Sequence, residues 1–284
     1  MTYPSEVIAD EWSDTHLSLA LGYRTDKLNW NISAPQNQLS ELSWNNLQNY
    51  QITGGGRTIF NNGIYMRGYL SYGWIVDGDT QDSDYRLDNS RTVETSRSNS
   101  KADGGRTLDA LAGFGYPFTF KSEMLKIIPL LGYSSHRQNL TVRDGSTSIP
   151  SYFSLQGLDD TYKAEWTGVW IGVDLLYKVR ESLTLVSSLE YHWANYKANR
   201  YFNQRADLNS ISQDANGGGV VISISGDYAL TEKMSIDIKL TYQDWSTDSG
   251  INKFFYTDGT TDITRLNEVN WDSQAVMVGI AYKL

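Results

Sequence analysis

The chain has 284 residues, 40% hydrophobic and 20% charged, with a net charge of −9 and no cysteine. No apolar run reaches the roughly 18 residues that a membrane helix needs, and the apolar content is too high for a disordered chain. The acidic balance argues against nucleic acid as a partner, because phosphates want a basic face, and zero Cys removes disulfides, thiolate metal sites and cysteine nucleophiles.

Met1-Thr2-Tyr3-Pro4 is polar and does not read as a secretory leader, so Met1 is expected to stand where a leader was removed. Alternation then begins. Leu17, Leu19, Leu21 and Tyr23 share one parity. Ile64, Met66, Leu70, Tyr72 and Trp74 repeat the pattern, as do Leu108 to Phe118 and Val169 to Val179 on alternate residues. Leu183, Leu185, Leu189, Tyr191 and Trp193 follow, then Val220 to Leu230, Ile236 to Tyr242 and Val276 to Leu284. The opposite parity is polar or small: Ser223, Ser225 and Asp227, or Asp237, Lys239, Thr241 and Gln243. Each strand therefore has one apolar face and one that tolerates charge.

The connections fall into two classes. Asn61-Asn62-Gly63, Thr119 to Glu123, Arg180-Glu181-Ser182 and Thr231-Glu232-Lys233 read as tight turns. The segments 24–40, 77–106, 144–165, 196–217 and 246–270 are long and polar. The two classes alternate, which makes ten strands with all long connections at one end. Inward-facing apolar stripes would overfill a ten-strand interior. Facing outward, they form a lipid-contacting band edged by aromatics. The expected fold is all-β: one domain over 1–284, a ten-stranded antiparallel transmembrane β-barrel with short periplasmic turns and five long extracellular loops. A bilayer needs only about 9–11 residues per strand, so the strands should rise above the membrane and frame a groove. Ten strands leave no wide pore, which disfavours a diffusion channel. The glycine clusters Gly54-Gly55-Gly56 and Gly217-Gly218-Gly219 precede no helix and read as sites of bending and close packing.

Four stretches carry a family likeness: Leu39-Ser40-Glu41-Leu42-Ser43-Trp44, Gly78 to Tyr85, Gly132 to Arg137 with Thr141 to Ser146, and Tyr162-Lys163 with Trp170-Ile171-Gly172. In order and spacing they resemble the omptins, ten-stranded outer-membrane proteases of Gram-negative bacteria. The resemblance covers most of the first 190 residues and is weaker beyond them. It implies an aspartyl endopeptidase with an Asp–Asp pair facing an Asp–His pair across a surface groove, the His acting as general base on a water. Asp82 and Asp84 match the family's D-x-D. Two residues apart on a strand they point the same way, so one is expected to hold a raised pKa. The D-x-H does not match. Alignment on Tyr201 places Ala198 and Arg200 there, and an arginine cannot act as a base. Glu190-Tyr191-His192 is an acid-x-His pair lower on the wall, and the candidate catalytic set is Asp82, Asp84 and His192.

Lys27 falls where the resemblance implies an acidic specificity residue, so Lys27, Glu190 and Arg200 are the groove candidates. Tyr133 and Arg137 match outer-wall positions that bind lipopolysaccharide in the family, with lipopolysaccharide as a bound or activating lipid. Ser135 and Glu165 depart from that pattern. The sequence implies no metal and no cofactor. It fits a monomer in the outer membrane of a Gram-negative bacterium, with a peptide or protein ligand at the loops. Two functions stand side by side: a binding or envelope barrel without peptidase chemistry, and a peptidase with a rearranged base. A lipid-modifying enzyme would need a Ser and a His near the membrane rim, and no such pair stands out.

Overall fold

The computed structural model describes residues 14–34, 38–86, 91–120 and 124–284. The polar start of the chain, residues 35–37 and 87–90, and residues 121–123 of one predicted turn lie outside them. Ten barrel strands run in chain order. They are β1 (Asp14–Ala34), β2 (Gln38–Ile59), β3 (Tyr65–Arg86), β4 (Val93–Lys101 continued by Gly105–Gly115) and β5 (Leu125–Ile149). Then follow β6 (Asp159–Arg180), β7 (Leu183–Tyr201), β8 (Leu208–Ala229), β9 (Met234–Thr247 continued by Gly250–Tyr256) and β10 (Thr261–Lys283).

Each strand pairs antiparallel with its neighbours in sequence, and β10 returns to β1, with Leu19 opposite Ile280 and Lys27 opposite Asp272. Among the described residues the ring leaves no membrane-level edge unpaired, as a barrel in lipid requires. The segments expected as long loops are mostly strand. β1 and β2 run to Ala34 and from Gln38, and the later upper connections shrink to 87–92, 150–158, 202–207 and 257–260. The polar alternation continues above the apolar band, so the backbone stays paired while its outer face turns to water. At the other end, Gly63 takes φ +84° in the Asn61-Asn62-Gly63 turn, and its N–H donates to Phe60 O at 2.8 Å.

The apolar parity faces outward. Leu19, Leu70, Ile171, Leu189, Ile238 and Val278 are all exposed. Tyr23, Tyr50, Trp74, Tyr133, Trp193 and Tyr242 edge the band above; Tyr116, Phe118, Tyr177, Tyr228 and Tyr282 edge it below. That is the aromatic pair of girdles of a membrane barrel.

Inside, the barrel is layered. Trp44, Trp166, Trp245, Trp271, Tyr162 and Tyr196 are fully buried and fill the middle. Trp245 stacks on Trp271 at 5.4 Å between centroids, and Trp166 packs on Tyr196 at 4.6 Å. Each such aromatic pair is worth about 0.5–1.5 kcal/mol beyond its buried area. Below this layer lies a polar cavity of about 210 Å³. Above it lies the mouth framed by the strand extensions.

Candidate functional site

Strand β7 serves as a ruler. Its inward side chains are Ser188, Glu190, His192, Ala194, Tyr196, Ala198 and Arg200, all buried. At about 3.3 Å per residue, Arg200 stands about 26 Å along the strand from His192.

Arg200 reaches the mouth. Its Nη1 donates to Asp82 Oδ2 and its Nη2 to Asp160 Oδ2, each at 3.0 Å. The guanidinium also stacks on Phe202, 4.6 Å from the ring centroid, and Arg205 lies 5.7 Å from the same ring. The Asn203 backbone N–H donates to Asp160 Oδ1 at 3.0 Å, so Asp160 is held on both oxygens. Asp84 sits beside Asp82 on β3. Burial, and then the neighbouring Asp82 charge, push its carboxyl up, while a Ser40 hydrogen bond pulls the other way. The raised member expected of the pair is Asp84. Farther out, Arg205 grips Asp207 bidentately at 2.8 Å and holds its carboxyl down at about 2.

Beneath the mouth, Tyr162 bonds Tyr196 through their hydroxyls, and Tyr162 donates to Gln213 Oε1 at 2.7 Å. Burial raises both phenols, so both remain protonated. The tryptophan layer follows, and His192 lies below Tyr196 on the same strand. Its Nε2 is 2.9 Å from Glu190 Oε2 and its Nδ1 2.9 Å from Ser134 Oγ. The His192 ring is walled by Trp170 and Trp245. Asp82, Asp84 and His192 therefore do not form one site, because the strand rise places the histidine on the other side of the aromatic layer.

The groove candidates separate in the same way. Arg200 lines the mouth. Glu190 does not: it is buried low in the barrel, accepting from Arg67 Nη2 at 2.7 Å. Lys27 does not either. It is exposed on the outer face, where a register break between Asp26 and Leu28 leaves it out of the β1–β2 ladder. Tyr133 and Arg137 stand on the outer wall, both exposed, and Arg137 Nη2 pairs with Glu165 Oε1 at 2.8 Å.

Sequence reasoning missed several members. Asp160 fell inside a presumed loop. Ser134 completes a Ser–His–Glu chain at the level of the upper aromatic edge, but all three side chains are buried inside the lumen rather than facing the lipid. Arg24 donates to Asp26 and Asp109 at 2.7 Å each, and Asp109 Oδ1 is 3.0 Å from His136 Nδ1. Parity was an available signal for Asp109, which sits between outward Leu108 and Ala110, but not for Asp160, which sits between Asp159 and Thr161.

In overall fold the chain is similar to the outer membrane protease OmpT of Escherichia coli, with a TM-score of 0.81, 14% identity, and 98% of this chain and 99% of that one covered. The ten-strand omptin architecture is thus borne out, while identity at this level speaks for the fold alone. The translocator domain of the autotransporter NalP from Neisseria meningitidis aligns at TM-score 0.38 and 10% identity, over 94% of this chain and 88% of that one. The toluene transporter TbuX of Ralstonia pickettii also aligns at 0.38, with 7% identity over 96% and 90%. No curated protein matches the sequence. The model of one outer-membrane family matches residues 18–284, and the chain belongs to that family, the Protochlamydia outer membrane proteins (Pom).

Proposed function

We propose that this outer-membrane barrel works as a surface-exposed binding or envelope protein without omptin peptidase chemistry. The observation that carries this reading is Arg200, which ion-pairs Asp82 and Asp160 in the position where the omptin resemblance calls for the general base. A guanidinium stays protonated and cannot accept the proton of an attacking water. Its charge also fills the space between the facing acids. Asp84 and the Arg205–Asp207 pair remain at the mouth to meet a peptide or protein ligand. On the outer wall, Tyr133 and Arg137 would contact lipopolysaccharide of a Gram-negative envelope. Glu165 already occupies the Arg137 guanidinium, which argues for a weak contact.

The test is cleavage of a mixed peptide library by the detergent-folded barrel, with rough lipopolysaccharide added and products read by mass spectrometry. The wild type is expected to cleave nothing across about pH 5–9. Ala198→Asp with Arg200→His, which installs the missing pair on the inward face of β7, is expected to produce cleavage that Asp82→Ala abolishes. Cleavage by the wild type, lost on Asp82→Ala/Asp84→Ala, would establish a rearranged peptidase instead.

A further inference from the structure

The cavity beneath the aromatic layer holds more charge than its walls pair internally. Arg57 takes Asp227 at 2.8 Å, and Arg67 takes Asp174 and Glu190 at 2.8 and 2.7 Å. Arg24 takes Asp26 and Asp109. Two lining charges are left, Asp237 and Lys239, on the same inward face of β9. Neither makes an ion pair or a hydrogen bond among the described residues. Asp237 Oδ1 is buried without a donor, pressed toward Gly279, where a Cβ would come within 2.6 Å of it. Lys239 extends its ammonium over the Tyr69 ring, 5.7 Å from the centroid. Half-buried charges of opposite sign normally close on one another, because an unpaired one loses hydration without compensation. Here a cavity of about 210 Å³ adjoins both.

We propose that this cavity is a binding site for a small zwitterion of the α-amino-acid class. The ligand carboxylate would meet Lys239 and its ammonium Asp237. The two positions are about 6.6 Å apart along the strand, a span that one carboxylate and one ammonium on neighbouring atoms can bridge. Val186, Val221 and Met277 line the same cavity and give an apolar ligand side chain something to pack against. Access is from the short-turn end. A second cavity of about 430 Å³ at that mouth shares His16, Arg57 and Tyr65 with the first, whereas the buried tryptophans close the other side. The site is independent of the mouth around Arg200.

The experiment is isothermal titration calorimetry on the full chain folded in detergent. The probes are L-leucine, 4-methylpentanoate, which lacks the amine, and 3-methylbutylamine, which lacks the carboxylate. L-leucine is expected to bind saturably and each half-charged analogue about tenfold more weakly or worse. Lys239→Met should weaken L-leucine about tenfold and leave the amine analogue unchanged; Asp237→Asn should do the reverse for the carboxylate analogue. Heat-modifiable migration in gels checks that both variants fold. The analogue comparison on the wild type stands even if they do not. No saturable heat from L-leucine, which leaves a cavity filled by water alone, overturns the proposal. So does binding that neither analogue nor either folded variant alters.

Discussion

Arg200 is the residue on which the functional reading turns. Its side chain is nearly buried, Asp160 is as well, and Asp82 is partly open to water. Removing one member of such a cluster leaves the others as uncompensated charges, at a cost of about 3 kcal/mol or somewhat more. Arg200→Ala is therefore expected to lower resistance of the upper hairpins to limited proteolysis while the membrane band stays folded. Equal cleavage rates for variant and wild type would show that the cluster does not hold the mouth together. Asp84 behaves in the opposite sense. A carboxyl raised on folding stabilises the fold while protonated, and that contribution disappears as pH climbs through the folded value. Asp84→Asn should thus raise thermal stability at about pH 7 and change nothing in acid, where Asp84 is itself neutral. A stability gain that is the same at both pH values would exclude Asp84 ionisation as its source. The D-x-D spacing made this pair legible in advance. The identity of its cationic partner was not, because Asp82 and Arg200 lie 118 residues apart in the chain.

Strand β7 shows how one element carries two chemistries. Its inward row runs from Glu190 and His192 in the membrane to Arg200 at the mouth, and its outward row runs through Leu189, Tyr191 and Trp193. The glycines opposite such rows are there for space. A Cβ on Gly219 would lie 2.2 Å from Trp245 Cδ2, and Trp245 cannot retreat because it packs on Trp271, His136 and His192. On Gly54 a Cβ meets nothing within 4 Å. Gly219→Ala is accordingly expected to cost about 1–3 kcal/mol by overpacking, and Gly54→Ala nothing by that mechanism. Unfolding midpoints in detergent distinguish them; equal midpoints would mean that the tryptophan layer gives way easily. Both glycine clusters look alike in the sequence. Only the facing and the paired neighbour separate them: Gly219 points inward beside Trp245 of the adjacent strand, and Gly54 is exposed on the outer face.

Among the described residues, the barrel is closed at mid-height by side chains. Trp166, Trp245 and Trp271 form the packed layer between the lower cavity and the mouth. Replacing all three by alanine should raise the conductance of the protein in planar bilayers well above that of the wild type. Equal conductance would mean that some other layer blocks the lumen. The short-turn and extended ends therefore present two separate solvent-facing compartments on one scaffold.

Strand number, outward apolar faces and the tight turns at one end were all readable from the chain alone, whereas the segments read as long loops proved to be mostly strand. Each readable feature follows from a period-two pattern or from local turn chemistry, and neither needs a distant residue to be known. The inward contacts followed a different rule. Arg24 meets Asp109 across 85 residues, whereas Lys27 faces outward on the same parity as Leu21 and Tyr23. A single slip in register exchanges the two faces of a strand. Ring closure and stagger set which inward groups share a level, so they put His192 below the tryptophans, Arg200 above them, and Lys239 beside the lower cavity.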